Sequence, residues 1–270
     1  MKILVIGGGN MGLIYIQSIL HANIVTKEEV MILEKSPEKA EKLAKREVGS
    51  IYASPERCVS QADLIILAVK PQDATSLFES IKPYVEGQQI FISIMAGVKI
   101  DTIGNLLGVN KIIRAMPNLP AKVNKGMTVF TATKDVTRIE LVMVKNLLNT
   151  TGKTIYVEEE TFIDASTAIS GSGPAYVYYF MDSLMTAAKE MGFSSTQAEL
   201  LVSQTFAGAI DLYQNTDLSC QEWIAMVSSK GGTTEAAVES YKTNKVHQDI
   251  IDGAKAALER AIELGKKKDA

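Results

Sequence analysis

Gly7, Gly9 and Gly12 form a G-x-G-x-x-G run, with Asn10 and Met11 inside it, between the apolar stretch Ile3–Ile6 and a helix-length segment, Gly12–His21. A dinucleotide pyrophosphate needs this strand–turn–helix setting. Gly7 allows the tight turn, Gly9 lets phosphate approach the backbone, and Gly12 lets helix and strand pack closely. The helix beginning near Asn10 then offers free N–H groups to the phosphates. A purely structural glycine turn is spelled the same way, and the flanking strand and helix favour the phosphate loop.

A second anion seat is spelled Gly231-Gly232-Thr233-Thr234 and runs into the helical segment beginning Glu235-Ala236. Free N–H groups at a helix start suit a small carboxylate. The threonines could instead cap the helix, and the two roles are compatible.

Four more segments carry chemistry. At the end of the second strand, Glu34 stands 22 positions beyond Gly12, where an acidic residue accepts from the ribose 2′-OH of NAD. Lys35 and Ser36 beside it could instead hold the 2′-phosphate of NADP. Both readings stay open, with a lean to NADPH and NADH as the alternative. Ala68-Val69-Lys70-Pro71 ends another strand and should border the dinucleotide, because ligands sit outside strand C-termini in such sheets. Lys70 is a base only if desolvated, and a solvated loop lysine is the commoner case. Ala96, in Ser93–Gly97, is small enough for a nicotinamide to approach. Asn118, between two prolines, could bond the nicotinamide or a neighbouring loop, whereas Arg114 ends a strand and is expected to pair with a local carboxylate.

Other chemistries find little support. His21 and His247 are the only histidines, and neither has a nucleophile-elbow motif for a serine triad. Cys58 and Cys220 make neither a disulfide framework nor a zinc site, so no metal is expected. A net charge of −3 gives no electrostatic reason for nucleic acid. No signal peptide or membrane span is expected, and the Lys266–Lys268 cluster reads as a solvated helix end. A cytoplasmic protein is the simplest expectation.

The elements that must hold these residues fall into two grammars. Ile3–Ile6, Val30–Leu33, Leu64–Val69, Ile90–Ile94 and Lys111–Ala115 are short apolar runs, the first four separated by helix-length stretches such as Pro37–Arg46. That pattern predicts a parallel sheet covered on both faces. Gly126–Thr131 and Lys153–Val157 extend it, with a helix at Val136–Asn149 between them. Beyond residue 160 the pattern becomes helical: Ala175–Met191, Ser195–Gln214, Cys220–Val227, Thr234–Thr243 and Gln248–Lys267. The division predicts a doubly wound α/β dinucleotide-binding domain, 1–160, and an all-helical domain, 161–270. With 270 residues, 46% of them hydrophobic, the chain can fill both.

Arg114-Ala115-Met116-Pro117-Asn118-Leu119-Pro120-Ala121, Ser170-Gly171-Ser172-Gly173-Pro174-Ala175-Tyr176 and Ser228–Thr234 join the glycine loop and Ala68–Pro71 in order along the chain. In these five segments the sequence closely resembles pyrroline-5-carboxylate reductase. The resemblance implies reduction of the cyclic imine 1-pyrroline-5-carboxylate to L-proline by NAD(P)H, the last step of proline biosynthesis. It also implies a Rossmann domain and a helical domain that interlocks with a second copy, as a dimer or a larger homo-oligomer. Carried over residue by residue, Ser229, Gly231, Gly232, Thr233 and Thr234 cradle the substrate carboxylate. The Thr234 hydroxyl reaches the ring nitrogen, for hydrogen bonding or proton delivery, and Ser172, the second catalytic candidate, lies where nicotinamide and substrate meet. Two positions depart from the usual pattern: Leu119 replaces a threonine and Lys230 a proline. The nearest rival is another NAD(P)-dependent reductase acting on a related ring, such as the six-membered piperideine carboxylate. A β-hydroxyacid dehydrogenase shares the two-domain plan but needs an early helix lysine after the glycine-rich segment, and Lys189 comes some four turns in.

Overall fold

The computed structural model describes residues 1–266. In chain order the regular elements of the first half are β1 (Ile3–Ile6), α1 (Asn10–His21), β2 (Val30–Leu33), α2 (Pro37–Ala44), β3 (Ser50–Tyr52), β4 (Leu64–Leu67), α3 (Ala74–Ile81), β5 (Ile90–Ser93), α4 (Ile100–Leu107), β6 (Ile112–Met116), β7 (Gly126–Ala132), α5 (Arg138–Asn149) and β8 (Gly152–Tyr156). α6 (Thr161–Ser166) and a π turn, Thr167–Gly171, follow. The rest is α7 (Gly173–Glu190), α8 (Ser195–Gln214), α9 (Cys220–Val227), α10 (Thr233–Thr243) and α11 (Val246–Lys266). Of the terminal lysine cluster, Lys267 and Lys268 lie outside the described residues.

The strands form one sheet in the order β3-β2-β1-β4-β5-β6-β7-β8. Every side chain of β1, β2, β4 and β5 is buried, as helices on both faces require. Alternate residues feed two cores: Ile3, Val5, Ile32 and Ile66 pack with Ile16 and Phe130 on one face, while Leu4, Ile6, Met31 and Leu67 pack with Phe78 and Phe91 on the other.

The sheet differs from the sequence reading in two places. β7 runs antiparallel to β6, because the short stretch holding the 3₁₀ turn Leu119–Val123 returns the chain directly, and a parallel neighbour would need a crossover of about a dozen residues or more. β3 has only three residues, all at least partly exposed, and gives no apolar run to detect.

The described chain separates into two compact units, Met1–Ser172 together with the chain from Ala257 onward, and Gly173–Ala256. In the first, the α11 backbone at Leu264 and Gly265 lies against Gly97, whose φ of +70° suits glycine and where a Cβ would press on that backbone at 3.2 Å. The second unit has little core of its own. α7, α9 and α10 contain no buried residue, and α8 buries only Ala198 and Val202. Tyr179 and Leu200 are 75% and 66% exposed, among many apolar neighbours.

Candidate active site

The strand order reverses between β1 and β4, where ligands enter a doubly wound sheet beyond the strand C-termini. Ile6 pairs with both Leu33 and Leu67, so the residues that follow these three strands emerge side by side. Gly7, Glu34 and Ala68 are those residues. Gly7 has φ +101°, donates its N–H to Leu33 O at 3.0 Å, and faces the Ala68 carbonyl where a side chain would stand. Gly9 is the N-cap of α1, no side chain caps it, and nothing lies within 4 Å of the place a Cβ would take. The first ladder bond, Leu13 N–H to Gly9 O, leaves the N–H groups of Asn10, Met11 and Gly12 ahead of it for a ligand. Gly12 is buried against the Gly7 carbonyl. Open backbone at Gly9 above an uncapped helix start fits a dinucleotide pyrophosphate.

At the end of β2 the Glu34 side chain is only 6% exposed. Its carboxylate accepts from Gly8 N–H at 3.0 Å and from Ser36 N–H at 2.9 Å. Lys35 points outward with its Nζ 3.5 Å from Asp73 Oδ1, and Ser36 caps α2. Val69 and Pro71 are half-buried, while Lys70 is exposed and offers none of the desolvation a lysine base needs. Ala96 and Asn118 stand on the loops beyond β5 and β6.

Asn118 makes the contact with a neighbouring loop that its position allowed. Its Nδ2 donates to Ser170 O at 2.9 Å and its Oδ1 accepts from Met127 N–H at 2.8 Å. Arg114, 2% exposed, does pair with carboxylates, but with Glu160 (2.8 Å) and Asp164 (2.7 Å), 46 and 50 positions along the chain, rather than with the local one expected. Glu160 also accepts from Ile100 N–H. Together these contacts fix the segment leading to Ser172. The sequence reading missed the π turn, since Thr167–Gly171 has no apolar period, although such turns recur at functional sites. Ser170 and Gly171 belong to that turn, and α7 begins only at Gly173. Ser172 is half-buried, its N–H donating to Thr167 O at 2.9 Å.

In the second unit, Ser229 to Thr234 form one compact turn into α10. Gly232 is the N-cap and no side chain caps the helix, so neither threonine hydroxyl is used for capping. Gly232 N–H donates to Ser229 O at 2.9 Å, and a side chain at Gly232 would collide with Ser229. Gly231, at φ +72°, donates its N–H to Glu235 Oε2 at 2.6 Å, a contact the sequence reading did not foresee. Ser229, Lys230 and Thr233 are exposed and Thr234 is half-buried.

Elsewhere, Cys58 and Cys220 are both free, and burial pushes the Cys58 thiol up to about 11, which keeps it protonated. Among the described residues no group of three or more side chains could hold a metal ion, and no helix is long and apolar enough to cross a membrane.

An open glycine loop at the switch point of a doubly wound sheet defines the dinucleotide-binding class of oxidoreductase folds. Residues 2–97 match the family model described as NADP oxidoreductase, coenzyme F420-dependent, and residues 160–264 match pyrroline-5-carboxylate reductase dimerisation. The chain is 34% identical to pyrroline-5-carboxylate reductase 2 of Bacillus subtilis, covering 97% of this chain and 95% of that protein. It is 36% identical to the Aquifex aeolicus pyrroline-5-carboxylate reductase over 98% and 97% of the two chains. The crystal structure of Plasmodium falciparum pyrroline carboxylate reductase with NADP bound superposes with a TM-score of 0.88, at 31% identity and 98% coverage of both chains. This chain belongs to the pyrroline-5-carboxylate reductase family.

Proposed function

We propose that this protein reduces 1-pyrroline-5-carboxylate to L-proline with NADPH, NADH being the weaker alternative. The observation that carries the reading is the turn at Ser229–Thr234. It presents uncapped backbone N–H groups and two threonine hydroxyls that the helix does not use for capping, in a chain whose first loop is built for a dinucleotide. Family membership supplies the reaction. When bound, the nicotinamide supplies the hydride.

The chain's own residues do the rest. Gly7, Gly9, Asn10, Met11 and Gly12 hold the pyrophosphate. Ala68, Val69, Lys70 and Pro71 border the dinucleotide, as Ala96 does on the next loop. Asn118 keeps the turn before Ser172 in place, and Ser172 keeps that corner small. Ser229, Gly231 and Thr233 grip the substrate carboxylate through backbone N–H groups and hydroxyls, and Gly232, whose own N–H is bonded to Ser229 O, lets the turn close around it. Thr234 hydrogen-bonds the ring nitrogen. An imine nitrogen is basic enough to arrive protonated, so no strong general acid is required, and orientation supplies much of the rate. Glu235 must release the Gly231 N–H when the substrate carboxylate takes that donor.

The direct test follows absorbance at 340 nm with pyrroline-5-carboxylate and NADPH or NADH in parallel. Oxidation of neither, with dinucleotide binding intact, would overturn the reaction. Thr234→Ala is expected to lower kcat about tenfold without abolishing turnover, the loss of one hydrogen bond worth about 1–2 kcal/mol at the reacting centre; an unchanged kcat would remove Thr234 from the chemistry. Lys35→Ala is expected to raise KM for NADPH several-fold and leave KM for NADH in place, because its exposed cation, held only by a 3.5 Å contact with Asp73, is free to pair with a 2′-phosphate. Equal changes for both cofactors would assign the 2′-phosphate to other residues.

Self-association as an interlocked dimer or larger homo-oligomer belongs to the same proposal. It is supported by the match to a dimerisation family model and by the exposed apolar faces of α7, α8 and α9. The domain division is proposed at 160/161, where that match begins, with the helical part binding substrate. The pair of free cysteines suits a reducing compartment such as the cytoplasm, and no role for nucleic acid, membrane or metal is proposed.

A further inference from the structure

The end of β2 offers a carboxylate that the usual choice between NAD and NADP does not explain. In a ribose-binding role Glu34 would present its oxygens outward, yet the side chain is 6% exposed. Oε2 accepts from Gly8 N–H at 3.0 Å, inside the phosphate loop, and Oε1 accepts from Ser36 N–H at 2.9 Å, at the N-cap of α2. The backbone under it is fixed as well. Glu34 N–H donates to Tyr52 O at the end of β3, and Gly7 N–H donates to Leu33 O, both at 3.0 Å. One side chain thus ties the loop after β1 to the loop after β2.

We propose that Glu34 is a positioning residue that braces both edges of the dinucleotide seat, and that it serves NADPH and NADH alike. The Gly8 contact sets the pyrophosphate edge. The Ser36 contact sets the edge that meets the adenosine ribose. A charged acceptor holds a backbone N–H in a short, directed bond, and without it two partly buried donors lose their partner. The phosphate loop then has to be ordered by the ligand itself, which weakens every dinucleotide by the same factor. Discrimination between the two cofactors is left to Lys35 and Ser36. The inference rests on the dinucleotide reading above.

Calorimetric titration of the full chain with NADP⁺, NAD⁺ and ADP tests it, on the unmodified protein, Glu34→Gln and Glu34→Ala, with thermal melting recorded for each. ADP carries the pyrophosphate but neither the nicotinamide nor the 2′-phosphate. Glu34→Ala is expected to weaken all three ligands equally, by about tenfold, with the NADP⁺ to NAD⁺ ratio held within about twofold. Glu34→Gln keeps the shape and one acceptor, so it carries the test if the alanine variant fails to fold. It should weaken all three less and tighten none.

Tighter NADP⁺ binding by Glu34→Gln alone would make the residue a charge gate and overturn the proposal. Weakening confined to NAD⁺ would make it a ribose ligand and overturn the proposal equally. A lowered melting temperature with unchanged affinities would reduce it to a structural residue and overturn the positioning role. Failure of the unmodified protein to bind any of the three would overturn the dinucleotide reading itself, and this inference with it.

Discussion

Gly12→Ala is expected to abolish dinucleotide binding, with a loss of at least about 100-fold in affinity, or about 2.7 kcal/mol. The added Cβ would overlap the Gly7 carbonyl oxygen and crowd the Val5 side chain. Both obstacles are rigid: Gly7 is held by its bond to Leu33 O, and Val5 is fully buried in the sheet. The helix must therefore back away from the loop, taking with it the N–H groups of its first turn. Overpacking of this kind costs about 1–3 kcal/mol, which the buried face of α1, Tyr15, Ile16 and Ile19, should absorb without global unfolding. Calorimetry with NADP⁺ and circular dichroism together give the answer. Wild-type affinity in a folded Gly12→Ala protein would show that the glycine turn does not hold the pyrophosphate. The reductase assay should fail in parallel.

The second large effect concerns the helical unit. Large apolar side chains gain about 1.5–3 kcal/mol each when fully buried, and in Gly173–Ala256 many of them are left half or more exposed within the chain. Met226 and Val227 are 64% and 60% exposed, and Tyr178 stands beside Tyr179 at 60%. Such a set of helices needs an apolar cover, which a second copy of the same unit would supply. Tyr179→Asp combined with Leu200→Glu is expected to shift the protein to monomer in sedimentation equilibrium. The melting temperature should fall by about 5–10 °C, since each buried charge opposes association and about 1 kcal/mol shifts the midpoint by a few degrees in a chain of this size. Activity should fall with it. An unchanged oligomer with an unchanged melting temperature would place the interface elsewhere.

The α/β architecture was legible in the residues because buried parallel strands are written as short apolar runs, and Ile3–Ile6 and Val30–Leu33 have the same bounds in sequence and structure. The phosphate loop was legible for a related reason: glycine is required where the chain must take φ +101° at Gly7 or press against a carbonyl at Gly12, and no other residue substitutes. The turn at Gly231 and Gly232 was readable on the same ground. Capping was also local: Thr137–Glu140, Ser194–Gln197 and Ser219–Glu222 each close a capping box within four residues.

What the sequence left open depends on atoms far apart in the chain. Glu34 could be read as a ribose ligand or a loop charge until its oxygens were seen on the N–H groups of Gly8 and Ser36. Asn118 lies 52 positions from Ser170, and Arg114 lies 46 and 50 from its carboxylates, so no local pattern announces those bonds. The direction of β7 was decided by the length of its connection rather than by its composition. Residue type and spacing determined which groups could do chemistry and on which elements they would stand. Only the tertiary structure decided which of those groups are already engaged with the protein and which are left for a ligand, because a hydrogen bond is fixed by position in space.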